Sequence, residues 1–303
     1  MGKLSLPLFY AFGWFLYLLP GRLRIALGNA FGAVLGLLKL RQKVVIQNLV
    51  LAYPDNPEKQ IATLKGSYRH LGNLFLEILL LFGPMRRFAT HKVTITGGEN
   101  WKKAHSQGKG VFFLASHVGN WEIMSAGGGV QLGMDLMLVT KHLKPEWLHQ
   151  AVEKCRGRCN VRATYEPKTL RDVLAHLKRG GTVGFVLDQY AGPPVGVRVP
   201  VFGVPVGTTT AVAMLAKRTG APVLPVVNYR EPNGRYRIEI RPPIQWEEGD
   251  ATTEVAVNTA RFAALMEKDI HAHPEQWLWI HRRFKGDLSP IREGEWAEGR
   301  ARR

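Results

Sequence analysis

Cysteine is nearly missing from this chain. Only Cys155 and Cys159 occur in 303 residues, too few for a disulfide framework. No second Cys/His pair lies near them, so their spacing makes a poor zinc site. Both are expected to be reduced and non-catalytic, and no metal is expected. Acidic residues are also scarce: 24 against 41 Lys and Arg, a formal charge of +17. That imbalance points to an anionic partner, whether nucleic acid, an anionic membrane or an acidic substrate; a solvated basic surface is the plainer alternative. No tandem repeat or long low-complexity tract is present. Gly-x-Ser-x-Gly is missing too, and Ser116 beside His117 does not replace it, which counts against a lipid hydrolase. The cations are spread along the chain without a nucleic-acid motif, which counts against nucleic-acid binding.

Long hydrophobic runs are few, and the first stands at the amino terminus. Residues 4–19 are almost wholly apolar, with Lys3 before them and Arg22 and Arg24 after. Sixteen helical residues reach about 24 Å, short of a hydrocarbon core of roughly 30 Å. Pro20-Gly21-Arg22 stands where a signal peptide would carry small residues, so cleavage is not expected. A second apolar stretch, 25–38, follows directly. Tyr10, Trp14 and Tyr17 suit an interfacial anchor, and the basic run 41–43 suits an anionic cytoplasmic leaflet. A pair of buried core helices is the alternative. Residues 1–40 are therefore read as a membrane-associated helical segment, and 41–303 as one larger domain.

Within that domain, helices are expected at 45–53 and 57–82, the second broken at Gly83-Pro84. Short apolar runs at 93–95, 111–115, 136–140, 183–187, 223–227 and 236–240 read as strands, several of them buried. Helical segments at 99–107, 121–130, 145–157, 168–179, 208–218 and 253–271 lie among them. Strands alternating with helices predict an α/β sheet with helices on its faces. The charged tail after Gly286 is expected to be loose.

The segment Ser116-His117-Val118-Gly119-Asn120-Trp121-Glu122 carries the chemistry. A buried strand ends at Ser116, and Asn120 is a favoured N-cap. His117 then lies on the loop at a strand's carboxyl end, where α/β sheets place ligands. With Glu122 in the first helical turn, its carboxylate is expected to accept a hydrogen bond from one imidazole nitrogen. The other nitrogen would take a proton from a substrate hydroxyl, as a general base. No protein nucleophile is implied.

This segment resembles the His-x4-Asp/Glu signature of the lysophospholipid acyltransferase superfamily, most closely its lipid A biosynthesis branch, the lauroyl and myristoyl transferases. The likeness runs over nearly the whole chain. It includes the apolar amino terminus, the stretch 41–49 leading to Ala52-Tyr53-Pro54, and Gly184-Phe185-Val186-Leu187-Asp188-Gln189. It continues through Gly196-Val197-Arg198-Val199-Pro200-Val201-Phe202-Gly203, Leu215-Ala216-Lys217-Arg218-Thr219-Gly220-Ala221-Pro222-Val223 and Pro274-Glu275-Gln276-Trp277-Leu278-Trp279.

The resemblance implies a mixed central α/β sheet flanked by helices, with an apolar amino-terminal membrane element. It implies an acyl thioester donor, acyl carrier protein or acyl-CoA, which is a co-substrate; no cofactor is expected. The acceptor would be a membrane glycolipid of the lipid A precursor type, met at the cytoplasmic face of the inner membrane. Matched by position, His117 is the base and Glu122 its partner. Arg156 falls where the family places a functional arginine, and Arg158 could exchange roles with it. Asp188 matches an Asp-Gln carboxylate and is expected to hold that arginine, with Gln189 as a supporting hydrogen bonder. Asn120 and Lys141 complete the expected site, and Lys141 and His142 are phosphate candidates. Backbone amides after His117 and the arginine cluster are expected to stabilise the oxyanion. Trp277 and Trp279 are expected to pack, and Arg282 and Arg283 to meet anionic headgroups or solvent. Glycerolipid enzymes of the superfamily carry Phe-Pro-Glu-Gly-Thr; here Val204-Pro205-Val206-Gly207-Thr208 lacks the carboxylate, which favours a glycolipid acceptor. Mycobacterial mannoside acyltransferases share a pattern close to 117–122, so a phosphatidylinositol mannoside acceptor with a coenzyme A donor stays open.

Overall fold

The computed structural model describes residues 2–250 and 253–289; the tail beyond, expected to be loose, lies largely outside the described residues. Two apolar helices open the chain, α1 (Gly2–Leu18) and α2 (Gly21–Leu37). After a tight turn come α3 (Gln42–Ala52) and the long α4 (Pro57–Ile78). Pro57 and Asn56 explain where α4 starts: proline needs no partner for an amide at the first turn, and the Asn56 side chain accepts from the Lys59 N–H at 2.9 Å. A 3-10 turn, Leu79–Phe82, and α5 (Met85–Lys92) lead into the sheet.

The remaining elements alternate. In chain order they are β1 (Val93–Thr96), α6 (Gly98–His105), β2 (Val111–Ala115), α7 (Trp121–Gln131), β3 (Leu136–Val139), α8 (Glu146–Gly157), β4 (Val161–Thr164), α9 (Thr169–Lys178) and β5 (Thr182–Val186). Then follow β6 (Gly196–Val201), β7 (Val204–Thr209), α10 (Ala211–Thr219), β8 (Val223–Arg230), β9 (Tyr236–Ile240) and α11 (Glu254–Ala272). The main sheet has seven strands in the order β1-β9-β8-β2-β5-β3-β4. All pairings are parallel except β8–β9. The sheet is therefore mixed, as the resemblance implies. Its centre, β2, is buried at every residue, as a strand covered on both faces must be.

Four elements depart from the sequence reading. α5 is too short to show a helical period. β4 is an edge strand, Val-Arg-Ala-Thr, with little apolar signal. β6 and β7 form a separate hairpin, so the helix expected at 208–218 begins at Ala211 instead. The hairpin turns on Phe202 and Gly203, both at positive φ, 53° and 72°, as a two-residue turn between twisted strands requires.

The amino-terminal helices pack closely on the rest. Added Cβ atoms at Gly28 and Gly32 of α2 would lie 2.3 and 2.2 Å from Asn73 and Tyr68 atoms of α4. The outer face of this layer stays apolar: Leu18, Leu37 and Leu38 are 73%, 81% and 73% exposed. Among the described residues no single helix is long and apolar enough to cross a membrane; α2 and α3 meet that test only together, bent by 98°. Beneath them Glu77 is fully buried against Arg230, whose guanidinium grips both carboxylate oxygens at 2.6–3.0 Å.

Gly72 sits at the tightest point of this contact, where a Cβ would stand 2.2 Å from the Gly28 carbonyl oxygen. Gly72→Ala is expected to lower stability by roughly 1–3 kcal/mol. Gly157→Ala, with nothing within 4 Å, should not. Thermal unfolding of the two variants in detergent checks this.

Candidate active site

The loop between β2 and α7 is held from several sides. Asn120 caps α7, its side-chain oxygen accepting the N–H groups of Glu122 and Ile123 at 3.1 and 3.2 Å. The Asn228 amide of β8 donates to the Asn120 carbonyl at 2.7 Å. Gly119 is at φ +67° and its Cβ would lie 2.3 Å from the Asn228 carbonyl oxygen, so only glycine fits. The Gly119 N–H donates to the Gln276 carbonyl at 3.0 Å. Gln276 in turn brackets Arg230, accepting its N–H at 2.8 Å and donating to its carbonyl at 3.0 Å.

β5 lies beside β2 in parallel, with Ala115 opposite Val186. The ladder continues past the strands, where the Leu187 N–H reaches the Ala115 carbonyl at 3.0 Å. One residue on, Asp188 arrives beside His117. Its Oδ1 lies 2.8 Å from His117 Nδ1. Its Oδ2 accepts the His117 backbone N–H at 2.8 Å and the Trp277 indole N–H at 2.6 Å. Burial alone would raise the Asp188 carboxyl, but the His117 imidazole and these donors outweigh it and bring it down to about 2. An ionised carboxylate only accepts, so Nδ1 carries a proton, and in the neutral ring the lone pair is on Nε2. The Trp121 ring stands edge-on to the imidazole at 4.8 Å, and the His281 ring lies 5.5 Å away.

His117 is therefore oriented by Asp188 and not, as expected, by Glu122. Past the N-cap, Glu122 faces α8, where Arg156 grips it with Nε at 3.0 Å and Nη2 at 2.5 Å. Arg156 also donates to Glu153 at 2.8 Å. Burial opposes its charge, and the two carboxylates more than compensate, so its pKa lies above the ordinary value. The arginine expected on Asp188 thus sits on Glu122. The physical reason is strand order: β2 and β5 are neighbours, whereas α8 reaches the loop only through the first turn of α7. Arg158 is exposed and stacks over Tyr10, 5.6 Å from its ring centre, outside the site. Arg283, expected at the surface, is buried and donates to the carbonyls of Gln189 and Gly207 at 3.0 and 2.8 Å. Burial lowers its pKa to about 10, with Asp188 working the other way.

His117 opens onto a cavity of about 590 Å³ between the sheet and α7. Apolar side chains from one face of the sheet line it, among them Phe113, Leu138, Val186, Val226 and Ile238. Polar residues on its wall include Lys141, Arg156 and Gln189. The amides of His117, Gly119, Glu122 and Ile123 already have partners inside the protein. The expected oxyanion role for the backbone after His117 therefore does not fit at those positions. Cys155 and Cys159 are buried free thiols, and among the described residues no cluster of three metal-ligating side chains occurs. Sequence reasoning missed two participants. Trp277 packs in the core as expected, but its buried N–H also donates to Asp188; His281 carries no periodic or motif signal.

A histidine–carboxylate pair at the mouth of an apolar cavity, on a mixed α/β sheet, suits an enzyme that works on a molecule with a long apolar part. Comparison with known proteins agrees. The family described as bacterial lipid A biosynthesis acyltransferase matches residues 5–286. The chain is 29% identical to the lipid A biosynthesis lauroyltransferase of Escherichia coli (strain K12), and 31% identical to that organism's lipid A biosynthesis palmitoleoyltransferase. Each alignment covers 90% of this chain and 88% of the relative. It is 28% identical to a phosphatidylinositol mannoside acyltransferase of Mycobacterium tuberculosis (strain ATCC 25618 / H37Rv), over 69% of this chain and 66% of that one. The chain belongs to the bacterial lipid A biosynthesis acyltransferase family and is an acyltransferase.

His117→Ala is expected to lower kcat by at least about 100-fold, the usual worth of a positioned base. Asp188→Asn should fall by about 10–100-fold, since an amide can leave Nδ1 unprotonated and misdirect the ring. Glu122→Gln should cost less in kcat and more in thermal stability, because it loosens buried Arg156. Steady-state rates with unfolding curves check the ranking; Glu122→Gln losing more kcat than Asp188→Asn would restore Glu122 as the partner. Asp188 ionises more readily folded than unfolded, so its stabilisation holds above the ordinary carboxyl value of 3.8 and is lost as pH falls through about 2.

Proposed function

We propose that this acyltransferase moves a fatty acyl chain from acyl carrier protein to a hydroxyl of a lipid A precursor-type glycolipid, at the cytoplasmic face of the inner membrane. The observation that carries this reading is the His117–Asp188 pair opening onto the apolar cavity. The acyl chain lies in the cavity, whose volume is in the roughly 300–1,000 Å³ range of ligand sites. The thioester carbonyl then sits at its mouth beside Nε2. His117 Nε2 takes the proton of the acceptor hydroxyl as its oxygen attacks that carbonyl carbon. Asp188 stabilises the imidazolium that forms. The tetrahedral intermediate collapses by breaking the carbon–sulfur bond, and the imidazolium returns its proton to the departing thiolate. No Ser or Cys hydrogen-bonds to His117 among the described residues, which favours direct transfer over an acyl-enzyme. Lys141, Gln189 and the N–H groups of Arg156 left free by Glu122 and Glu153 are assigned to the oxyanion, where donors contribute several kcal/mol.

The chain's excess of cations suits an acidic carrier protein and an anionic membrane. The apolar outer face supports interfacial binding, and it reaches beyond the first two helices to Ile46 on α3 and Phe75 on α4, both 44% exposed. Likeness to the mannoside acyltransferase keeps a second reading, with coenzyme A as carrier and a phosphatidylinositol mannoside as acceptor.

Purified protein supplied with acyl-labelled carrier protein or acyl-CoA, and with each acceptor, tests the function. Label should pass from carrier protein to the lipid A precursor; transfer from acyl-CoA to the mannoside alone would establish the second reading. Gly184→Val should fill the cavity, since a Cβ at 184 already lies 3.1 Å from Leu138. Donors in competition should then shift toward shorter chains, and an unchanged preference would place the chain elsewhere. Replacing Leu18 and Leu37 together by glutamate should release the protein from vesicles while activity on detergent-dispersed acceptor persists.

A further inference from the structure

A short turn late in the chain meets both groups that flank His117. Pro274–Gln276 forms a 3-10 turn just after α11, and its last residue, Gln276, is buried. Each polar group of Gln276 has a partner. Its main-chain N–H donates to the His273 carbonyl at 2.9 Å, and its carbonyl accepts the Gly119 N–H at 3.0 Å. Its side-chain oxygen accepts the Arg230 main-chain N–H at 2.8 Å, and its side-chain nitrogen donates to the Arg230 carbonyl at 3.0 Å. The amide thus pairs with both main-chain groups of Arg230, as a neighbouring strand would. It is needed there because β8 runs on to Arg230 past its last pairing with β2, at Pro225, and main-chain groups shielded from water require partners. The Arg230 side chain is in turn fixed by Glu77.

Trp277 comes next. It bridges Val118 in antiparallel fashion, and its indole N–H donates to Asp188 at 2.6 Å. Residues 276 and 277 therefore hold the loop at Val118 and Gly119 on one side of the imidazole and the carboxylate on the other. Gln276 is not among the residues lining the cavity, so any effect it has on a reaction there passes through Gly119 and Trp277. We infer that Gln276 is a positioning residue, which sets where the His117 imidazole and the Asp188 carboxylate meet. The inference rests on these two being the reacting pair, as proposed above. Only an amide both accepts and donates on one planar group; a carboxylate lacks the donor and a thioether lacks both. Without the clasp the segment keeps its core packing but loses its register on β8, and Gly119 and Asp188 follow it. A displacement of about 1 Å at reacting groups costs on the order of 100-fold in rate.

The test uses the full chain in detergent and Gln276→Met, which keeps the length of the side chain and removes the amide. With acyl-labelled carrier protein and the lipid A precursor, kcat should fall by about 10–100-fold while both KM values stay within about twofold. Combined with Asp188→Asn, the loss should stay within about threefold of the worse single variant, as expected of residues that act as one unit. In protein labelled with 15N-histidine, the His117 Nδ1–H signal, assigned by its disappearance in His117→Ala, should move or broaden. Gly72→Ala, destabilised far from the loop, should keep both its kcat and that signal, which separates positioning from lost stability. Where Gln276→Met does not fold, Gln276→Glu, of the same shape but without the donor, takes its place. A native kcat, a lowered kcat with the His117 signal unmoved, or losses that add fully to those of Asp188→Asn would each overturn the inference. The signal needs no substrate. If the native enzyme transfers nothing to this acceptor, the transfer reading fails, and a moved or unmoved signal still supports or overturns the role of Gln276.

Discussion

Most of the site depends on one contact, the carboxylate of Asp188 between His117 and Trp277. The two partners of that carboxylate lie 71 and 89 residues away in the chain. The parallel pairing of β2 with β5 delivers His117 and Asp188 side by side at the carboxyl ends of two central strands, and an antiparallel bridge between Val118 and Trp277 brings the indole to the same loop. Three donors on one buried carboxylate fix the imidazole in a single tautomer and leave no rotamer to choose. A buried ionised carboxylate without such donors would be costly, so the pairing both stabilises the fold and sets the chemistry.

Behind the loop between β2 and α7 lies a second buried network. Arg230 at the end of β8 is gripped by Glu77 of α4 and meets the Tyr236 hydroxyl at 3.0 Å and His70 Nδ1 at 3.0 Å. Burial lowers the His70 imidazole well below its ordinary value, and Arg230 lowers it further. The ring is thus neutral and accepts from the guanidinium. Removing one member of a buried ion pair typically costs about 3–5 kcal/mol. The same network joins the helical layer that bears the exposed apolar face to the sheet that bears His117 and Asp188. Gln276 extends it, since its side chain clasps Arg230 and its carbonyl holds Gly119.

The positive charge divides into two populations. Arg24, Arg156 and Arg283 are buried, the side chain of Arg230 nearly so, and all four serve the fold through carboxylates and carbonyls. Others, such as Arg41 and Lys141, stay exposed without acidic partners among the described residues. A count of +17 does not distinguish them, and only the second kind is available to an anionic carrier, membrane or headgroup.

The sequence by itself determined that the chain is an α/β protein, that its apolar runs at 111–115, 183–187, 223–227 and 236–240 are strands, and that His117 stands at a strand end just before an Asn120-capped helix. These are local properties: period, run length and capping chemistry are written within a few residues. The tertiary structure decided which carboxylate serves His117. Glu122 is five residues away and was the natural expectation, yet strand order put Asp188 there and gave Glu122 to Arg156. It also decided that Arg283 is buried, that Arg158 is outside the site and that Trp277 is a hydrogen-bond donor within it. Those outcomes depend on the order β8-β2-β5-β3 and on the register between distant segments, which no local pattern encodes.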